Sequence, residues 1–97
     1  MFSVLAATHW AFQDRLASLG AIPVHQRVVE RGRVITAAGC TAAIDMALVL
    51  AEHLSDPVTA AAVQLWMEYD PHPPFDSGSL AKASEEVVAR ATQILDD

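Results

Sequence analysis

Cysteine is nearly absent from this sequence: Cys40 is its one example. A single thiol excludes an internal disulfide and a zinc site built from cysteines. With so little cysteine, the simplest expected compartment is a reducing cytoplasm. Basic residues are also scarce, six Lys and Arg against twelve Asp and Glu, giving a net charge of −6. Only Arg27, Arg31 and Arg33 lie close together, and Glu30 interrupts them. Direct contact with nucleic-acid phosphates is therefore not expected. Long hydrophobic runs are missing too. Met46–Ala51 is far too short to span a bilayer, so no membrane partner is expected. The first residues, Met1–Ala7, are apolar but lack a basic leader, and Thr8, His9 and Trp10 interrupt them, so a signal peptide is not expected.

What is present is apolar. Hydrophobic residues make up 53% of the 97 residues and charged ones only 19%, so the chain calls for a buried core and is not disordered. One small domain has little interior for its surface. The excess implies that part of this apolar sequence faces a partner, either a second copy in a homodimer or a complementing half-domain.

The spacing of apolar residues gives a coarse map. Residues 4–8 suit a short strand or the frayed end of a helix. Trp10, Phe12, Leu16 and Leu19 predict a helix, with Gly20 as its stop. From Ile22 to Thr36, two β-branched runs flank Glu30-Arg31-Gly32, a hairpin signal with Gly32 suited to positive φ. Pro23 fits the start of an edge strand. Residues 40–54 read as a helix with Ile44, Leu48 and Ala51 on one stripe. One face of this helix is expected to be over-exposed. Asp56 is a good N-cap and Pro57 suits the first position of a further helix through Met67. Pro71, Pro73 and Pro74 make residues 69–79 a stiff, extended loop. A last amphipathic helix is expected over 80–95. The fold class is α/β: a short N-terminal strand, a helix, a β-hairpin, then three helices.

Four segments, in order, resemble the ThiJ/PfpI superfamily, which is related to class I glutamine amidotransferases. They are Ala7-Thr8-His9-Trp10; the hairpin from Arg27 to Thr36; Gly39-Cys40-Thr41-Ala42-Ala43-Ile44-Asp45-Met46-Ala47-Leu48; and Gln64 to Phe75 with its Tyr-Asp-Pro-His-Pro-Pro-Phe run. The last resembles the branch containing isonitrile hydratases and the sensor domains of AraC-type regulators. The resemblance covers residues 7–79 and implies a partial Rossmann-like (flavodoxin-like) sandwich. Residues 1–97 are then expected to be the C-terminal half of such a domain, with 80–97 its C-terminal helix.

The family's reactive cysteine sits on a nucleophile elbow well before its Thr-His-Trp motif, whereas only eight residues precede His9 here. Cys40 lies at the later glycine turn, where the resemblance places no nucleophile. His9 is therefore the remnant of a site: the matching histidine pairs with the thiolate, a role suited to an imidazole. Asp45 matches an acidic residue on the active-site wall. It either orients His9 or has a structural role near the start of its helix. Glu68, Asp70 and His72 alternate, but the prolines scatter their directions and no fourth ligand is evident, so no metal and no cofactor are expected.

The resemblance implies three functional readings. In the first, the chain is a truncated family domain without independent catalysis. In the second, it is part of an isonitrile hydratase-, amidase- or glyoxalase-like cysteine enzyme, a hydrolase or lyase completed by an N-terminal half. In the third, it is the sensing module of an AraC-type transcription regulator, binding a small-molecule ligand while a separate segment reads DNA.

Overall fold

The structure, a computed structural model, describes residues 4–96. Met1–Ser3 and Asp97 lie outside the described residues. Strand β1 (Leu5–Ala6) pairs in parallel with β2 (Ile22–Pro23), Leu5 opposite Ile22 and Ala6 opposite Pro23. The ladder is made by the Ile22 N–H to Val4 O and the Val24 N–H to Ala6 O, both 2.8 Å. Pro23 therefore sits at the one position between them where no donor toward β1 is needed.

The connection between these strands was expected to be one helix over residues 10–19. Instead Trp10–Phe12 form a 3₁₀ turn that runs into α1 (Gln13–Ser18). His9 is the cause: its carbonyl accepts the Phe12 N–H at 3.0 Å and its ring Nδ1 accepts the Ala11 N–H at 3.1 Å. The two bonds draw the first turn tight. Gly20, with φ 97°, ends the helix as expected.

Strands β3 (Val28–Arg31) and β4 (Val34–Ala37) form the antiparallel hairpin. Its turn is one step later than Glu30-Arg31-Gly32. Glu30 and Arg31 belong to β3, and Arg31 pairs with Val34 across the two loop residues Gly32 and Arg33. Gly32 has φ 59°, which the first loop position of such a tight turn requires. The Thr36 hydroxyl accepts the Ala7 N–H at 2.9 Å and ties the hairpin to the end of β1.

Helix α2 (Gly39–Leu54) starts directly after β4. Gly39 has φ 76°, and this is what turns the strand into the helix in one residue. Helix α3 (Pro57–Met67) begins as expected: Asp56 accepts the Thr59 N–H at 2.8 Å and the Thr59 hydroxyl at 2.9 Å. It ends in a Schellman motif. Glu68 is left-handed (φ 53°), the Tyr69 N–H reaches Gln64 O at 3.0 Å, and the Glu68 N–H reaches Leu65 O at 2.9 Å. The last helix, α4 (Glu85–Asp96), is shorter than the 80–95 expectation at its N-terminal end. Ser79 O holds a separate turn through Lys82 and Ala83, and the Ser84 hydroxyl caps the helix by accepting the Val87 N–H at 3.3 Å. Glu85 and Glu86 then favour the positive end of the helix dipole.

Helices α2 and α3 pack on each other, and α2 lies across both hairpin strands. The buried apolar residues among those described are Ala6, Ala7, Val29, Ala42 and Ala60. Four alanines and a valine leave the larger side chains outside. Leu50 and Leu54 of α2 are exposed, as the expectation for that helix required, and the exposure continues onto α3 through Val58, Leu65 and Trp66. Trp66 is 87% exposed and so overfills no packed site.

Candidate functional site

His9 lies beside the glycine turn into α2, and Asp45 lies within that helix. The His9 ring stacks loosely beside Trp10 and Phe12, with ring centres 5.2 and 5.6 Å away. Its other neighbour is the glycine turn: a Cβ at Gly39 would stand 3.6 Å from His9 Cδ2, ordinary contact. Because Nδ1 accepts the Ala11 N–H, the ring proton sits on Nε2. His9 therefore presents a donor edge away from its own turn. Gln13 Nε2 donates to Thr8 O at 3.0 Å, while Gln13 Oε1 is buried without a protein partner.

Cys40 follows Gly39 at the start of α2 and is exposed. The hydrogen bond of the His9 ring goes to Ala11 and not to this thiol.

Asp45 sits in the second turn of α2 and makes a different network. Arg27 Nε donates to its Oδ2 at 2.8 Å, and the Tyr69 hydroxyl donates to its Oδ1 at 2.6 Å. The Tyr69 hydroxyl and then the Arg27 guanidinium hold the Asp45 carboxyl below its ordinary value of 3.8. Reciprocally, the bond to Asp45 raises the Tyr69 phenol above 10.0 and strengthens the protonated state of Arg27. Arg27 and Tyr69 were noted in the sequence only as members of longer runs. The signal that marks Tyr69 is its place as the chain's one tyrosine, at the edge of the proline-rich loop.

This triad lines an open groove of about 1110 Å³ between α2, the start of the hairpin and the loop from Tyr69 to Ser79. Ile44, Pro71, Pro73 and Phe75 supply its apolar wall, and Thr41 and Gln64 add polar groups. The cations are matched by anions, Arg27 with Asp45 and Lys82 with Asp76 at 2.9 Å. Neither His9 nor Cys40 lines this groove. Among the described residues, no cluster of His, Cys, Asp and Glu could hold a metal ion, and no helix is long and apolar enough to cross a membrane.

A parallel strand pair, a glycine turn into a long helix and flanking helices define an α/β protein of the flavodoxin-like kind. The chain belongs to the ThiJ/PfpI superfamily. It is 55% identical over 86 residues to an isonitrile hydratase of Pseudomonas putida, a match covering 89% of this chain and 38% of that protein. A crystal structure of a ThiJ/PfpI family protein from Pseudomonas syringae superposes with a TM-score of 0.87 at 40% identity, covering 98% of this chain and 40% of the other. The chain thus spans well under half the length of both relatives. No family model matches it.

Proposed function

We propose that these 97 residues act as the C-terminal half of a ThiJ/PfpI-type domain, without independent catalysis, and that the nucleophilic cysteine comes from outside them. The observation that carries this reading is the separation of the parts. The one thiol, Cys40, is exposed and is not the hydrogen-bond partner of the His9 ring, which bonds Ala11 and directs its Nε2–H away from its own backbone contacts. In that direction it is placed to donate to a thiolate held by another segment.

The relative in Pseudomonas putida favours isonitrile hydration as the chemistry of the completed domain. Such a reaction adds water across the isonitrile: the carbon takes the oxygen and a hydrogen, the nitrogen takes the other hydrogen, and a formamide results. His9 would hold the attacking thiolate in its ionised form, and Asp45 would set the wall of the site from α2.

The test is complementation. The portion of the Pseudomonas putida isonitrile hydratase that this chain does not match is co-expressed with it, and formamide production from an aliphatic isonitrile is followed. The chain alone is expected to be inactive, with or without Cys40→Ser. The complemented pair is expected to turn over and to lose activity with His9→Ala. Turnover by the chain alone that disappears with Cys40→Ser would overturn the proposal, and so would an inert complemented pair.

A further inference from the structure

We propose that Arg27, Asp45 and Tyr69 form a latch that positions the proline-rich loop of residues 70–79 as the movable wall of the groove. The latch joins three pieces of chain distant in sequence: the start of the hairpin, the second turn of α2 and the second residue after α3. Asp45 is its centre because one oxygen serves each partner, Oδ2 for Arg27 and Oδ1 for Tyr69.

The backbone around Tyr69 is built as a hinge. Glu68 adopts a left-handed conformation that a non-glycine residue enters at a cost, so the chain changes direction at this one point. Gln64 then grips Tyr69 on both sides: its carbonyl accepts the Tyr69 N–H, and its side-chain Nε2 donates to Tyr69 O, both at 3.0 Å. Beyond Tyr69, Pro71, Pro73 and Pro74 make the chain a stiff arm. A stiff arm fixed at its root transmits that fixation to its far end. Locking the Tyr69 side chain onto α2 therefore sets where Phe75 stands along the groove.

Exposure sets the strength. Asp45 is one-third exposed and Arg27 more than half, so the latch is a reversible contact rather than a core interaction. The other charged or titratable groups lining the groove are His25, His72, Asp76 and Lys82, with the last two paired to each other. This proposal does not depend on the identity of any substrate, and its failure would leave the complementation result untouched.

The chain's one tyrosine makes the test direct, because tyrosinate absorbance reports on Tyr69 alone. The 97-residue chain is titrated at 295 nm when folded and again in concentrated urea. Its midpoint should lie higher when folded, since ionising the phenol places a second anion beside Asp45. In Asp45→Asn the folded midpoint should fall, because the anion is gone while Arg27 remains. Backbone ¹⁵N relaxation gives the second readout. Order parameters across residues 70–79 should drop from about 0.85 toward 0.6 in both Asp45→Asn and Tyr69→Phe, with those of α3 unchanged. Equal midpoints for the folded and urea-treated wild type would overturn the latch without any variant having to fold. An unchanged loop in Tyr69→Phe, the milder replacement, would overturn it as well.

Discussion

Trp66 offers the sharpest separation of folding from association. It is 87% exposed near the C-terminal end of α3, on an apolar surface shared with Leu65, Val58 and Leu54. Fully burying an indole removes about 150–250 Å² from water. At about 25 cal/mol per Å² that is worth roughly 4–6 kcal/mol. Only the small covered fraction already contributes to the fold, roughly 0.5 kcal/mol on the same scale. Trp66→Ser should therefore lower the melting temperature of the chain by no more than about 4 °C, using the conversion of 4–8 °C per kcal/mol for a domain of this size. A complement that covers the indole should bind the variant far more weakly. Losing even half of the available burial, about 2 kcal/mol, weakens Kd by about 30-fold. Calorimetry of the chain gives the first number, and titration with the complementing portion of the hydratase gives the second. Fluorescence supplies an internal check: Trp66→Phe leaves Trp10, which is half-buried, and the emission should shift to the blue. A fall of 10 °C or more in the melting temperature of Trp66→Ser would refute the reasoning, since it would mean that the isolated chain already buries the ring.

Acid should open the latch before it unfolds the helices. The Asp45 carboxyl lies below its ordinary value of 3.8 in the folded chain, so its contribution is complete above that value and is lost as pH falls through the lower folded value. Below about pH 4 the stability difference between wild type and Asp45→Asn should shrink, which denaturant titrations at several pH values would check. Cys40→Ser should change stability by less than about 0.5 kcal/mol, and the exposed thiol should react fully with a disulfide reagent without denaturant. Gly39→Ala should cost about 1–2 kcal/mol through its φ of 76° and not through crowding, because the nearest His9 atom would stand at an ordinary 3.6 Å. Thermal melts of the chain would measure it, and a loss below 0.3 kcal/mol would show that the turn relaxes.

The elements that were legible in advance are those whose signals are local. Asp56-Pro57 states where α3 starts, and the Asp56 bonds to Thr59 are what those residue types do at a helix start. Gly20, Gly32 and Gly39 all take positive φ where a turn or stop was needed. The errors came from competition between neighbouring caps. Leu80 and the alanines that follow suit a helix, but the Ser84 hydroxyl offers a better start, and the residues before it close a separate turn on Ser79. In the same way, apolar spacing placed Trp10 in an α-helix, while the His9 ring and carbonyl drew that turn into 3₁₀ geometry. Spacing cannot register such a contest, because both outcomes bury similar residues. The candidate site was less legible than the fold. His9 and Asp45 were visible as types in a pattern, but the partners of Asp45 lie 18 and 24 residues away along the chain. Nothing in the periodicity of α2 points to Arg27 or Tyr69.

The composition of the interior bears on why the chain resembles a larger domain so closely. Helices that approach through alanine come near their neighbours but cover little area, and Ala42 and Ala60 are what α2 and α3 place in the buried set. Alanine at such positions allows close backbone approach, and it is efficient when larger side chains close the layer from the other side. Here Leu50, Leu54, Val58, Leu65 and Trp66 point outward with more apolar surface than the buried set contains. Helix α2 packs on the antiparallel hairpin β3–β4 and α3 packs on α2, while the parallel pair β1–β2 meets α1, and parallel strands are stable when both faces are covered. The His9 ring turns its Nε2–H away from its own backbone contacts, while the Gln13 oxygen is buried without a protein partner. Under the proposed completion of the domain, a complement would cover the exposed apolar residues of α2 and α3 and also meet the Nε2–H of His9. If a complement bound tightly through α3 but left the His9 ring environment unchanged in its NMR spectrum, these two roles would come apart, and the assignment of His9 to a completed site would fail.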